Sequence, residues 1–112
     1  MKVFSLKNCD TCRKAIKEMT AAGLDFEVID VRADGMSPDD ITHIINAVGF
    51  EKGLNRRSTT WRGLDDAAKA SPDNVKAAAL ISEHPTLLKR PAVTNGKTTT
   101  VGWNAATKAV WL

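Results

Sequence analysis

KVFSLKNCDTCRKAIKEMTAAGLDFEVIDV, residues 2–31, is the stretch whose reading decides the fold. Lys2 to Leu6 alternates β-forming residues and stops at the polar Lys7 and Asn8, which predicts a first strand. From Thr11 the apolar positions Cys12, Ala15, Ile16 and Met19 recur at helical spacing; Asp10 or Thr11 can cap the start, and Gly23 ends the run. Residues 24–31 alternate again, with Leu24, Phe26, Val28 and Asp30 on one set of positions, and predict a second strand. Strand, helix, strand is a βαβ unit, whose two strands run parallel through a right-handed crossover.

The rest of the chain hangs on that unit. Gly35 breaks the chain, Ser37 is placed to cap a helix with Pro38 at its first position, Ile41, Ile44, Ile45 and Val48 form its apolar stripe, and Gly49 stops it. Leu54 to Thr60 has no period, Trp61 to Ala70 reads as a short amphipathic segment, and Ser71-Pro72-Asp73 starts a helix running to about His84. Pro91 to Thr94 and Lys97 to Val101 flank Asn95-Gly96, a hairpin signal, and Asn104 can cap a last helix. The hairpin adds antiparallel strands to the parallel pair. The expected fold is α/β and thioredoxin-like: a mixed four-stranded sheet in a single domain over 1–112, with a helical insertion at about 37–84.

A length of 112 residues and 12.1 kDa suits one domain, so one site must sit on one core. With 43% apolar and 26% charged residues the chain is neither disordered nor fibrous. The apolar run after Met1 is too short for a signal peptide and no stretch has the length of a membrane span, so the expected location is cytoplasmic, with no membrane partner. Residues 1–50 carry six Lys/Arg against eight Asp/Glu, a net of −2, whereas residues 51–112 carry ten against five, a net of +5. The basic residues are scattered among apolar runs, without aromatic interleaving or a helix-turn-helix pattern. They fit a pocket for a small anion better than a nucleic-acid surface.

Cys9-Asp10-Thr11-Cys12 follows the first strand and opens the first helix. A three-residue offset puts both sulfurs on one helical turn, close enough to bridge, which points to redox chemistry in a cytosolic protein. Cys9 is the loop-side sulfur: helix N–H groups and nearby Lys7, Arg13 and Lys14 favour its thiolate, and Asp10 opposes it. Cys12 falls on the apolar stripe, where it is either a resolving cysteine or an inert core residue. Zinc is disfavoured, because there are two cysteines and His43 and His84 lack ligand spacing. Arg56 and Arg57 stand in the aperiodic central stretch and Arg90 precedes Pro91. Two guanidinium groups converging on a thiolate would lower its pKa and hold an anionic substrate; the plainer reading is solvated surface charge. A cis bond before Pro91 would orient backbone polar groups toward the thiol.

CDTC, LNRRSTTWRGLDD (54–66), HPTLLKRP (84–91) and VGWNA (101–105), in that order, resemble the thioredoxin-fold family of arsenate reductases and Spx-type regulators, most of all its YffB-type branch. The resemblance spans nearly the whole chain. It implies a thiol-dependent reductase with Cys9 as nucleophile and with Arg57 (Arg56 is the neighbouring alternative) and Arg90 as oxyanion-binding groups. Trp103 stands where the arsenate reductases carry a third arginine. Cys12 stands where those enzymes usually have serine and Spx-type proteins a second cysteine. The implied substrate is an oxyanion or a disulfide, with resolution by Cys12 or by glutathione. No metal or organic cofactor is expected to be bound, glutathione or glutaredoxin is the expected reductant, and glutaredoxin or thioredoxin the expected partner. RNA polymerase is the partner under the alternative, a redox-sensing regulator. Trp103 also has a reading as an aromatic anchor for the last helix.

Overall fold

Val3 and Phe4 are adjacent in one strand and both fully buried, so the sheet they belong to is covered on both faces. The computed structural model, which describes residues 1–69 and 73–112, shows how. β1 (Lys2–Ser5) leads into α1 (Asp10–Ala21) and returns as β2 (Glu27–Asp30), paired parallel to β1 with Val3 opposite Val28. Then come α2 (Pro38–Val48), the single turns α3 (Phe50–Gly53), α4 (Thr59–Arg62) and α5 (Asp66–Lys69), α6 (Asn74–Glu83), and a 3-10 turn at Pro85–Leu87. β3 (Ala92–Thr94) lies antiparallel to β1, β4 (Thr99–Val101) antiparallel to β3, and α7 (Ala105–Trp111) closes the chain. The strand order is β2-β1-β3-β4, the mixed sheet expected from the sequence.

Strand periodicity sorts the core. Phe4 and its cross-strand partner Ala92 face α2 and α6, where they join Ile41, Ile44, Ile45, Ala77 and Ile81 with Leu87 and Leu88. Val3 and its partner Val93 face the other way, onto Met19 and Ile16 of α1 and onto Trp103 and Trp111. Ser37 caps α2 as expected, its Oγ accepting from Asp40 N at 3.1 Å with Pro38 in the first turn, and Gly49 (φ 84°) ends it. Asn104 caps α7 in a reciprocal capping box with Thr107.

Some boundaries differ from the sequence expectation, each for a local reason. β2 starts at Glu27, because Leu24 N donates to Met19 O at 3.2 Å and belongs to the helix terminus rather than to the ladder. The hairpin loop has four residues, because the Asn95 side chain accepts from Lys97 N and Thr98 N and draws both into the turn, leaving β4 to begin at Thr99. Trp61 to Lys69 is two separate turns, α4 and α5, broken near Gly63. Asp73 caps α6, accepting from Lys76 N at 2.7 Å; Ala70 and the Ser71-Pro72 start signal lie outside the described residues.

Candidate active site

A turn anchored by the Asp30 carboxylate delivers the cysteines to the end of the sheet. Leaving β1, the chain folds back so that Cys9 N donates to Leu6 O at 3.0 Å. Asp30, the last residue of β2, holds that turn by accepting from Lys7 N at 2.9 Å, and it also accepts from Ala33 N and Arg32 N. The Ala33 amide foremost, joined by the amides of Arg32 and Lys7, outweighs the opposing effect of burial and keeps the Asp30 carboxyl below the usual range. Neither Asp10 nor Thr11 caps α1. Cys9 itself occupies the N-cap with extended backbone (φ −98°, ψ 114°), which leaves its thiol beside the first-turn amides without a close cap bond. Cys12, three residues on, points into the core and is 1% exposed.

The two thiols are free, and their surroundings push them apart. Partial burial raises the Cys9 pKa, but the Cys12 S–H and N–H as donors, together with the charge and hydrogen bonding of Arg90, outweigh it, and the thiol is lowered. Burial, then the thiolate neighbour it donates to, pushes Cys12 up to about 12. Cys12 is therefore the proton donor of the pair and Cys9 the ionising member.

Arg90 is the cation that acts most on Cys9, in place of the Lys7, Arg13 and Lys14 group suggested by the sequence. Arg13 is instead turned to Lys7 O, which its Nε reaches at 3.1 Å, and to Asp10 at 3.6 Å. Arg90 Nη1 donates to Thr86 O (2.8 Å) and Leu88 O (3.0 Å), which fixes the guanidinium plane, while its buried Nε has no hydrogen-bond partner among the described residues. The Arg90–Pro91 peptide bond is cis.

The structure thus brings Cys9, Cys12 and Arg90 together, and places Arg57 in a cleft whose wall includes Lys89, the residue before Arg90. That cleft, about 350 Å³, is lined by Glu51, Leu54, Asn55, Arg56, Arg57 and Lys89. A short antiparallel ladder joins its two walls: Asn55 N to Leu87 O at 2.7 Å, Lys89 N to Gly53 O at 2.8 Å, and a bridge between Leu54 and Leu88. The Arg56 guanidinium lies 5.8 Å over the Phe50 ring and 6.0 Å over Trp61, contacts that orient it toward the two aromatic faces. Arg57 has its amide held by Asn55 Oδ1 at 3.2 Å. Nothing local in the sequence marks the Thr86 and Leu88 carbonyls that mount Arg90, because a backbone acceptor has no side-chain identity.

Trp103 is elsewhere. Its indole N–H donates to Glu18, which also pairs with Lys108 at 3.3 Å, and its ring packs on the Val3, Met19, Val93 cluster. Glu18 is nine residues along α1 from Cys9, roughly 13 Å at a helical rise of about 1.5 Å per residue. Trp103 ties α7 to α1, the anchoring role. Among the described residues no group of three or more His, Cys, Asp or Glu side chains is placed to hold a metal ion, and no helix is long and apolar enough to cross a membrane.

Residues 4–109 match the ArsC family. The chain belongs to the ArsC family. Among solved structures similar to this member, the YFFB protein has 32% identity and a TM-score of 0.91, covering 99% of this chain and 97% of its own. An arsenate reductase (ArsC) related protein from Brucella melitensis has 29% identity and a TM-score of 0.72, covering 98% and 92%. The global transcriptional regulator Spx of Bacillus subtilis is 27% identical over 104 residues, 91% of this chain and 79% of that protein. The fold is that of the thioredoxin-like arsenate reductases, and membership supports thiol-based redox chemistry in general terms.

Proposed function

We propose that this ArsC-family chain is a thiol-dependent reductase in which Cys9 is the nucleophile and Arg57 and Arg90 hold an anionic substrate, with a glutathione mixed disulfide as the preferred substrate. The observation that carries the reading is the Arg90 guanidinium, fixed by two backbone carbonyls while acting on a lowered Cys9 thiol whose partner Cys12 keeps its proton. In the first step the Cys9 thiolate bonds to the glutathione sulfur, and the second sulfur of the substrate leaves as a thiolate. In the second step an external thiolate attacks the adduct and releases Cys9. Cys12 is buried in the core and keeps its proton, so a thiol of the glutathione or glutaredoxin class is the expected resolving group.

Arg57 is preferred over Arg56 because the latter is stacked on Phe50 and Trp61. Arsenate is the weaker substrate, since the residue after the hairpin is Trp103, engaged with Glu18, and adds no cation beside Cys9. A reducing cytoplasmic setting suits two free cysteines. The test is turnover of arsenate and of a glutathione mixed disulfide with glutathione, glutaredoxin or thioredoxin as donor. Turnover of the mixed disulfide with the glutathione system is expected, and inertness toward both substrates with every donor would refute the reading.

The similarity to Spx, together with two thiols on one turn, supports a second reading, a redox-sensing regulator acting on RNA polymerase. There, peroxide would oxidise Cys9 and Cys12 to a disulfide and be reduced to water. Oxidation-dependent capture of polymerase without turnover would favour it.

A further inference from the structure

The Arg90 mount is secured by backbone at both ends, and at its Thr86 end a side-chain pair ties it to a second loop. Leu87 to Lys89 is zipped to Gly53–Asn55 by the ladder described above. Thr86, whose carbonyl takes the shorter of the two Arg90 bonds, precedes that ladder. Its hydroxyl shares a hydrogen bond at 3.0 Å with the hydroxyl of Thr60, across 26 residues of sequence, in a half-buried setting. Thr60 sits in α4, a single turn that is itself pinned: Ser58 Oγ accepts from Trp61 N at 3.1 Å and donates to Asn55 O at 2.9 Å. Arg57 immediately precedes Ser58, so the Thr60–Thr86 pair joins the loop carrying Arg57 to the turn carrying the acceptor of Arg90.

We propose that Thr60 is a positioning residue: through Thr86 it fixes the carbonyl that aims the Arg90 guanidinium at Cys9. The inference rests on the reading of Cys9 as nucleophile. Without the Thr60 hydroxyl, the 3-10 turn that carries the Thr86 carbonyl stays closed by Leu87 N donating to His84 O at 2.9 Å but loses its tie to α4 and can shift relative to Arg90, since a half-buried hydroxyl that has lost its partner turns to water. Arg90 then keeps its bond to Leu88 O and its charge but samples more orientations, and its hold on the Cys9 thiolate weakens without being lost. Small displacements of this kind at a supporting contact degrade a site that is otherwise complete.

The test compares Thr60→Val, which keeps shape and removes the hydroxyl, with Thr60→Ser, which keeps the hydroxyl, and with Thr86→Val, which removes the other half of the pair. The readout is the pH profile of Cys9 alkylation in the Cys12→Ser background, with thermal melting as a check on folding. Thr60→Val and Thr86→Val are expected to move the midpoint upward by about half a pH unit, roughly a threefold loss of thiolate on the acid limb, while Thr60→Ser keeps the parent profile. Parent-like profiles in both valine variants, or a shift in Thr60→Ser equal to that in Thr60→Val, would overturn the role of Thr60 and leave Cys9 untouched. A parent in which Cys9 alkylates no faster than free cysteine at acid pH would overturn the underlying reading as well.

Discussion

Replacing Arg90 by methionine keeps the stem's bulk and removes the charge that acts on Cys9. A charge-assisted hydrogen bond contributes roughly 1.5–3 kcal/mol, and because Cys9 is only half-buried and solvent screens it the lower end applies, about 1.5 kcal/mol. At about 1.36 kcal/mol per pKa unit the Cys9 midpoint should rise by about one unit. The sign follows from the thiol being lowered in the folded protein: on the acid limb the thiolate fraction falls about tenfold. A more basic thiolate is intrinsically more nucleophilic, by roughly threefold per unit for a Brønsted slope of about 0.4–0.5, so the alkylation rate should fall only about three- to fourfold there. Above both midpoints the variant should be about threefold faster than the wild type. The two pH–rate profiles must therefore cross. Iodoacetamide alkylation followed by mass spectrometry across the pH range reads this directly, with Arg90→Lys expected between the two because it keeps charge but not the two-carbonyl mount. Superimposable profiles would refute the assignment of Arg90 as the cation that lowers Cys9. A uniform loss of rate at every pH would refute it equally, since that signals blocked access rather than a moved midpoint.

Cys12→Ala, which removes the S–H donor, should raise the Cys9 midpoint, whereas Cys12→Ser, which keeps a donor, should leave it lowered; thiolate titration of the two variants checks this. Gly53→Ala should destabilise the fold by about 1–3 kcal/mol, seen as a Tm loss of several degrees, because the added methyl would stand 2.5 Å from Ile45 Cδ1 in a fully packed core. Trp103→Arg should lower Tm and bring no gain in arsenate reduction, since the side chain belongs to the Glu18–Lys108 tie about 13 Å along α1 from Cys9; a clear gain in arsenate turnover would place residue 103 at the site after all.

The elements that were legible in the sequence are those whose signals are local. Ser37-Pro38 and Gly49 bracket α2 by cap chemistry and positive φ, and the alternation of Val3 and Phe4 with Val93 and Ala92 splits the core between two faces of the sheet. The CxxC placed two sulfurs at one helix start for the same reason. Cys9 as its own N-cap was missed because cysteine is not a usual capping residue, and the threonine or aspartate after it satisfied the pattern equally well. What decides the electrostatics is non-local. Arg56 and Arg57 are equivalent in the sequence, and only the approach of Phe50 and Trp61 separates them. The Thr60–Thr86 bond and the Thr86 and Leu88 carbonyls leave no trace in periodicity, because a backbone acceptor has no side-chain identity. Trp61 to Ala70 reads in the sequence as one short amphipathic segment, because its apolar spacing survives the break near Gly63.

The central claim, that Cys9 is the nucleophile of a reductase whose adduct is cleared by an external thiol, is tested most directly by steady-state reduction of a glutathione mixed disulfide with glutathione as donor. Wild type, Cys9→Ser and Cys12→Ser are compared in one assay. Turnover in the wild type, its complete loss in Cys9→Ser, and its retention in Cys12→Ser are predicted. Activity surviving in Cys9→Ser, or lost to the same degree in Cys12→Ser, would contradict the account.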